Sequence, residues 1–165
     1  MAFRVIRPDE LDWITRPHEP GEPARHVAKL SERAGFAHTR GNIWRYEPGA
    51  RGRRHRHATQ EETFVVLGGT LSMYVGEPPE RHDVPTGGLV HVERGTPLQS
   101  VNHGDEDLLV YAYGAPPESE RAEILDPAID ARDQPQAGLP ADRRARHPRT
   151  GPLVEREAPS GFEPL

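Results

Sequence analysis

His55 and His57 stand one residue apart, and Glu62 follows five positions after the second of them, inside the run PGARGRRHRHATQEETFVVLGG at residues 48–69. Two imidazoles and one carboxylate are the donor set that a divalent transition metal with open coordination positions accepts, whether Fe, Mn, Ni, Cu or Zn. The spacing suits that use. Successive side chains of an extended chain alternate faces, so histidines separated by one residue point to the same side. Glu62 shares parity with Phe64 and Val66, which should face an interior, whereas Glu61 would face away. A His-x-His in an arginine-rich loop is, taken alone, ordinary solvated surface.

Arg51, Arg53, Arg54 and Arg56 crowd the same loop. They would attract an anionic substrate such as a carboxylate or phosphate. A solvated loop balancing an acidic chain is the simpler account. Only Arg53 shares the parity of the two histidines, so it alone has a claim on the same cavity.

Short strands must hold these residues. Residues 42–46, 63–67, 71–75, 89–92, 98–101 and 108–113 are β-like runs of four to six residues. Turn chemistry separates them: Pro48-Gly49, Gly68-Gly69, Glu77-Pro78-Pro79, Pro85-Thr86-Gly87-Gly88, Gly95-Thr96-Pro97 and His103-Gly104-Asp105. Strands at this spacing predict an all-β antiparallel sandwich or barrel over residues 40–115. Residues 1–39 form an N-terminal extension broken by Pro8, Pro17, Pro20 and Pro23. Val27, Leu30 and Ala34 before Gly35 fit one face of a short helix, and a strand over 25–31 fits as well. Residues 116–165 hold half of the 18 prolines among Arg, Asp and Glu, and read as an extended arm or a partly disordered tail. Within that arm the pairs Ile124-Leu125 and Leu153-Val154 are apolar enough to dock on this subunit or a neighbour.

Composition removes several function classes. A net charge of −5 over 165 residues argues against a nucleic-acid partner. With no cysteine, disulfides, thiolate zinc sites and a cysteine nucleophile are all excluded. The opening MAFRVIRPDELDW lacks the apolar stretch of a signal peptide, and no run approaches a membrane span. The expectation is a cytoplasmic protein with a small-molecule ligand and no membrane partner.

The order Gly49, His55, His57, Glu62, Gly69, with intervals of five, one, four and six residues, resembles the first motif of the cupin superfamily. Residues 87–102 resemble the second motif: Gly87, Gly95 and Asn102 fall in register, and Thr96-Pro97 suits the turn. The short gap between the motifs is similar to that of small single-domain bacterial cupins. The resemblance implies a double-stranded β-helix, or jelly-roll barrel, with a divalent metal and commonly a homodimer. Two positions depart from it. Glu93 replaces a proline, and Leu98 replaces the last metal-binding histidine. Leucine cannot ligate, so three outcomes stand open. His55, His57 and Glu62 hold the metal alone, or His91 takes the vacant place from the preceding strand, or the metal is lost and a polar pocket is left.

Phe64, Met73, His91 and Leu98 are the expected pocket residues, with Trp44 or Tyr46 beside them, giving largely apolar walls. Loaded with metal, such a cupin would act on a small organic, conceivably anionic, metabolite. Dioxygenase-like chemistry stands first, followed by Lewis-acid isomerisation or cyclisation with His91, Glu93 or Glu61 as base and Arg53 as a further catalytic candidate. The alternative is a non-catalytic cupin that binds or senses a small molecule through a degenerate site. A vestigial site on a fold kept for assembly is a third reading.

Overall fold

A computed structural model describes residues 3–16, 20–117 and 121–128. The elements are β1 (Trp13–Thr15), β2 (Arg25–Lys29), α1 (Leu30–Ala34), β3 (Arg40–Tyr46), β4 (His55–Arg56), β5 (Glu61–Gly68), β6 (Thr70–Val75), β7 (Glu80–Pro85), β8 (Leu89–Val92), β9 (Leu98–Val101), β10 (Leu108–Ala115) and β11 (Glu123–Ile124). They form two antiparallel sheets, in the orders β1-β2-β3-β10-β5-β8 and β11-β4-β9-β6-β7. This is an all-β double-stranded β-helix. Among the described residues no helix is long and apolar enough to cross a membrane.

The core lies between the sheets and follows from strand alternation. Phe64 and Val66 of β5, Val110 and Ala112 of β10, Leu71 and Met73 of β6, and Leu98 of β9 are all buried there. β3 adds Tyr46, with Trp44 packed against the cluster. Each inner side chain therefore comes from an alternate position of its strand, as the parity of Glu62, Phe64 and Val66 requires.

The segment before residue 40 does not stand apart from the barrel. β2 pairs with β3 along its whole length, and β1 pairs with β2, so both extend the first sheet. Each of the two readings of this segment holds for part of it: the strand ends at Lys29, short of Ser31, and the helix begins at Leu30, leaving Val27 on the strand. Val27 and Ala28 are buried on the strand, and the chain then makes one short helix. Gly35 stops it in the left-handed conformation, φ 73°, which costs glycine little.

β7 is the longest strand that patterning misses. Glu80-Arg81-His82-Asp83 has no apolar alternation, because both of its faces are largely solvated at the sheet edge. The full ladder to β6 fixes it, with Ser72 and Arg81 both donating to Asp83 Oδ1 at 2.6 and 2.9 Å.

Two motif positions earn their place structurally. Gly69 has φ 78°, and a Cβ there would come within 3.1 Å of the Asp107 carbonyl oxygen. Asn102 is buried, and its Nδ2 donates to the carbonyls of Tyr46 and Glu106 at 3.0 and 2.8 Å, while its Oδ1 accepts from Gly104 N–H at 3.0 Å. It ties the end of β3 to the turn leading into β10. Asn102→Ala leaves these main-chain groups without a partner and is expected to cost about 2–3 kcal/mol, read as a lower midpoint in urea with an unchanged slope.

Candidate metal centre

β4 and β5 converge at one end of the barrel and bring the three sequence candidates together. One ligand atom from each of His55, His57 and Glu62 lies within 4.8 Å of the others. The Nε2 atoms of both histidines are 3.5 Å from the same oxygen, Glu62 Oε2. The rings meet edge to face, centroids 5.2 Å apart at 87°. His55 Nδ1 lies 2.9 Å from the Arg53 carbonyl oxygen, which can only accept, so Nδ1 is the donor. The neutral ring then carries its lone pair on Nε2, aimed at the carboxylate.

That geometry asks for a cation. Glu62 Oε2 is buried and makes no hydrogen bond, although buried carboxylate oxygens are normally satisfied. Facing it are two imidazole nitrogens at a distance too long for a hydrogen bond and suited to a shared positive centre. The donor set of two nitrogens and one oxygen fits a divalent transition metal with open positions.

Leu98 lies directly across the β4–β9 ladder from His55. Opposed residues share a face, so Leu98 presents its side chain beside the cluster, 2% exposed within the core. β9 supplies no His, Cys, Asp or Glu to the cluster.

His91 is a correction. It was expected to face the interior, yet it is outside the barrel. Its register partner is Thr63, while Phe64 pairs with Val90 and Glu62 with Val92, so the inner positions of β8 are 90 and 92. The His91 side chain is 46% exposed, hydrogen-bonded to Thr63 Oγ1 and 3.3 Å from Glu61. It cannot reach the cluster, and Glu61 shares that outer face. Glu93 is also exposed; its carbonyl caps a turn by accepting from Thr96 N–H at 3.2 Å. None of the three candidate bases lines the cavity.

A cavity of about 170 Å³ opens from the three candidate ligands. Phe64, Trp44, Tyr46 and Arg53 line it, whereas Met73 and Leu98 belong to the packed core. The expectation of largely apolar walls is corrected. Arg16, Arg25, Arg40, Asn42, Gln60 and Ser100 also face it. Tyr46 was within reach of sequence reasoning, because β3 alternation puts Asn42, Trp44 and Tyr46 on one side. Arg16 and Arg25 carried no such signal, since nothing in the motifs refers to β1 or β2. Tyr46 Oη and Ser100 Oγ are 2.8 Å apart. Burial raises the Tyr46 phenol above its ordinary pKa, against the opposing pull of Arg25 and of the Ser100 hydrogen bond, so the hydroxyl stays neutral and able to donate.

Of the loop arginines, Arg51, Arg54 and Arg56 point elsewhere. They pair with Glu22, Glu77 and Glu123 at 2.7, 2.8 and 2.7 Å. The last pair belongs to β11, which docks on this subunit: Ile124 lies opposite His55 and reaches the cavity wall. Leu125 N–H bonds the Arg54 carbonyl at 2.9 Å, and Ala128 N–H bonds Gln99 Oε1 at 2.8 Å. Leu153-Val154 lies outside the described residues.

The barrel and its two-histidine, one-carboxylate cluster define a double-stranded β-helix protein with a candidate metal site. Residues 42–113 match the family model for the cupin domain. The chain belongs to the cupin superfamily. No curated protein sequence matches it. Solved structures similar to it include a sugar phosphate isomerase of the cupin superfamily from Silicibacter pomeroyi, with TM-score 0.60 and 22% identity over 69% of this chain and 76% of that one. A predicted oxalate decarboxylase from Thermotoga maritima gives 0.61 and 20%, over 69% and 100%. The polyketide cyclase RemF from Streptomyces resistomycificus gives 0.63 and 18%, over 75% and 86%. At these identities the likeness speaks for the fold.

Proposed function

We propose that the protein is a metal-dependent enzyme of the Lewis-acid type, carrying out isomerisation or cyclisation of a small organic molecule. The observation that carries the reading is the buried, unpartnered Glu62 Oε2 facing the Nε2 atoms of His55 and His57 at 3.5 Å. A divalent metal held by these three would polarise a carbonyl or hydroxyl oxygen of the substrate, or activate dioxygen if redox-active. The chain's own groups suit the first use as hydrogen-bond donors. None of His91, Glu93 and Glu61 lines the cavity, so a proton leaving the substrate would pass to water. Tyr46 offers a neutral phenol that can hydrogen-bond a developing oxyanion, with Ser100 Oγ 2.8 Å from its hydroxyl. Trp44 and Phe64 exclude water on one wall, and Asn42 and Gln60 supply amides that can orient a polar substrate.

Elemental analysis of freshly purified protein is expected to find about one divalent metal per chain. Loaded protein should exchange the α-protons of small keto and hydroxy carbonyl compounds with D₂O, followed by proton NMR. Tyr46→Phe should keep the metal and slow that exchange about 10²-fold or more. Protein that takes up none of Fe, Mn, Ni, Cu or Zn sinks the proposal, and oxygen consumption without exchange moves it to dioxygenase chemistry. The Leu98 replacement favours a second reading, a non-catalytic binding or sensing cupin, for which metal binds and neither reaction is seen.

A further inference from the structure

We propose that residues 123–128 act as a strap on the metal centre: Glu123 positions the strand that carries His55, and Ile124 decides what reaches the ligands. The assignment deepens the metal-centre reading of the same cavity and rests on it for what the strap encloses. β4 is two residues long, too short to hold its place alone. It pairs with β9 at one position, His55 with Leu98, and with β11 at two, Arg56 with Glu123 and His55 with Ile124. Most of the pairing that fixes this ligand strand therefore comes from a segment that begins 67 positions after Arg56.

The strap has a built seat. Arg56 Nε and one terminal guanidinium nitrogen donate to the two Glu123 oxygens at 2.7 and 3.0 Å, a bidentate fork across the ladder. Leu125 N–H donates to the Arg54 carbonyl at 2.9 Å. Gln99 is 1% exposed, and its amide joins barrel to strap: Nε2 donates to the Gly52 carbonyl and Oε1 accepts from Ala128 N–H, each at 2.8 Å. Ile124 faces the same side of the sheet as His55, because opposed residues share a face. It lines both the cavity at the ligands and an adjoining cavity of about 580 Å³, and among the described residues it is the one apolar side chain common to the two. At 53% exposed it stands in the opening between them, outside the packed core. A molecule passing from the wider cavity to His55 meets that side chain first.

The test reads access to His55 in metal-free protein and metal loss from loaded protein, both on the full-length chain. Modification of His55 by diethyl pyrocarbonate is followed by peptide mass spectrometry, with His91, outside the barrel, as the reference in the same molecule. Metal loss to excess EDTA is timed separately, and thermal melts are recorded for every variant. Leu125→Pro removes the N–H that bonds the Arg54 carbonyl and should speed both processes about fivefold. Glu123→Arg should speed His55 modification about threefold, and the exchanged pair Arg56→Glu/Glu123→Arg should return it close to the wild-type rate. Ile124→Ala should speed His55 modification and Ile124→Trp should slow it, by about twofold or more each. Opposite signs at one exposed position cannot come from a general loosening of the fold. Equal His55 rates in wild type, Leu125→Pro and both Ile124 variants overturn the proposal, as does metal loss that Leu125→Pro leaves unchanged. Protein that takes up no metal sinks the metal-centre reading alone, and the His55 rates then decide whether the strap closes the cavity. The Ile124 variants keep the test decisive if Leu125→Pro melts early.

Discussion

His57→Ala is expected to reduce bound metal from about one per chain to near zero and to weaken affinity at least 100-fold. His57 is the most buried of the three candidate ligands, its side chain 6% exposed, and its Nε2 shares Glu62 Oε2 with His55. Removing it leaves one imidazole and one carboxylate, too few donors to hold a labile divalent ion against water. Changes outside the ligand shell alone typically cost 10–100-fold, so a true ligand must cost at least the upper part of that range. His91→Ala is the matched control, because His91 lies on the outer face of β8 against Glu61 and Thr63. Its metal content should equal wild type. Inductively coupled plasma analysis of both variants after identical purification checks the pair. Equal metal in His57→Ala and wild type would remove the site.

Leu98→His is expected to tighten metal binding by about tenfold or more while lowering turnover. Position 98 faces His55 across the β4–β9 ladder and points into the barrel, so an imidazole there arrives beside the cluster as a fourth donor. A fourth protein ligand fills a position that a substrate would otherwise take. Without metal the same change places a polar ring where Leu98 packs in the core, a cost of about 1–3 kcal/mol. Metal binding offsets this by mass action. The rise in Tm on adding metal should therefore be larger in Leu98→His than in wild type. An equal rise in both proteins would mean that residue 98 does not reach the ion.

The strands with one wet and one dry face were legible in the sequence. The runs at 42–46, 63–67, 71–75, 89–92, 98–101 and 108–113 all coincide with strands; burial on one face imposes alternation in β5 and β10, β9 is buried throughout, and turn residues punctuate them all. β7 was not legible, since an edge strand with both faces largely in water has no apolar pattern to show. β4 and β11 were not either: two residues are too few to display a period, and their pairing is decided by partners distant in the chain. His91 shows the limit of parity within one strand. Counting from Leu89 put it inside, but Leu89 is itself 58% exposed, and the register with β5 decides which positions face in.

The sequence by itself determined the barrel and the candidate ligand trio, because His55, His57, Glu62 and their glycines lie within a span short enough for spacing along the chain to fix spacing in space. It also determined the lack of a ligand at position 98, since a side chain's chemistry does not depend on the fold. Tertiary structure decided the rest of the cavity. Arg16, Arg25, Arg40, Tyr46, Ser100 and Ile124 meet there only because β2, β3, β9 and β11 are brought together by pairings between distant segments. Local patterning carries no information about such closures, which depend on how two whole sheets bury one core.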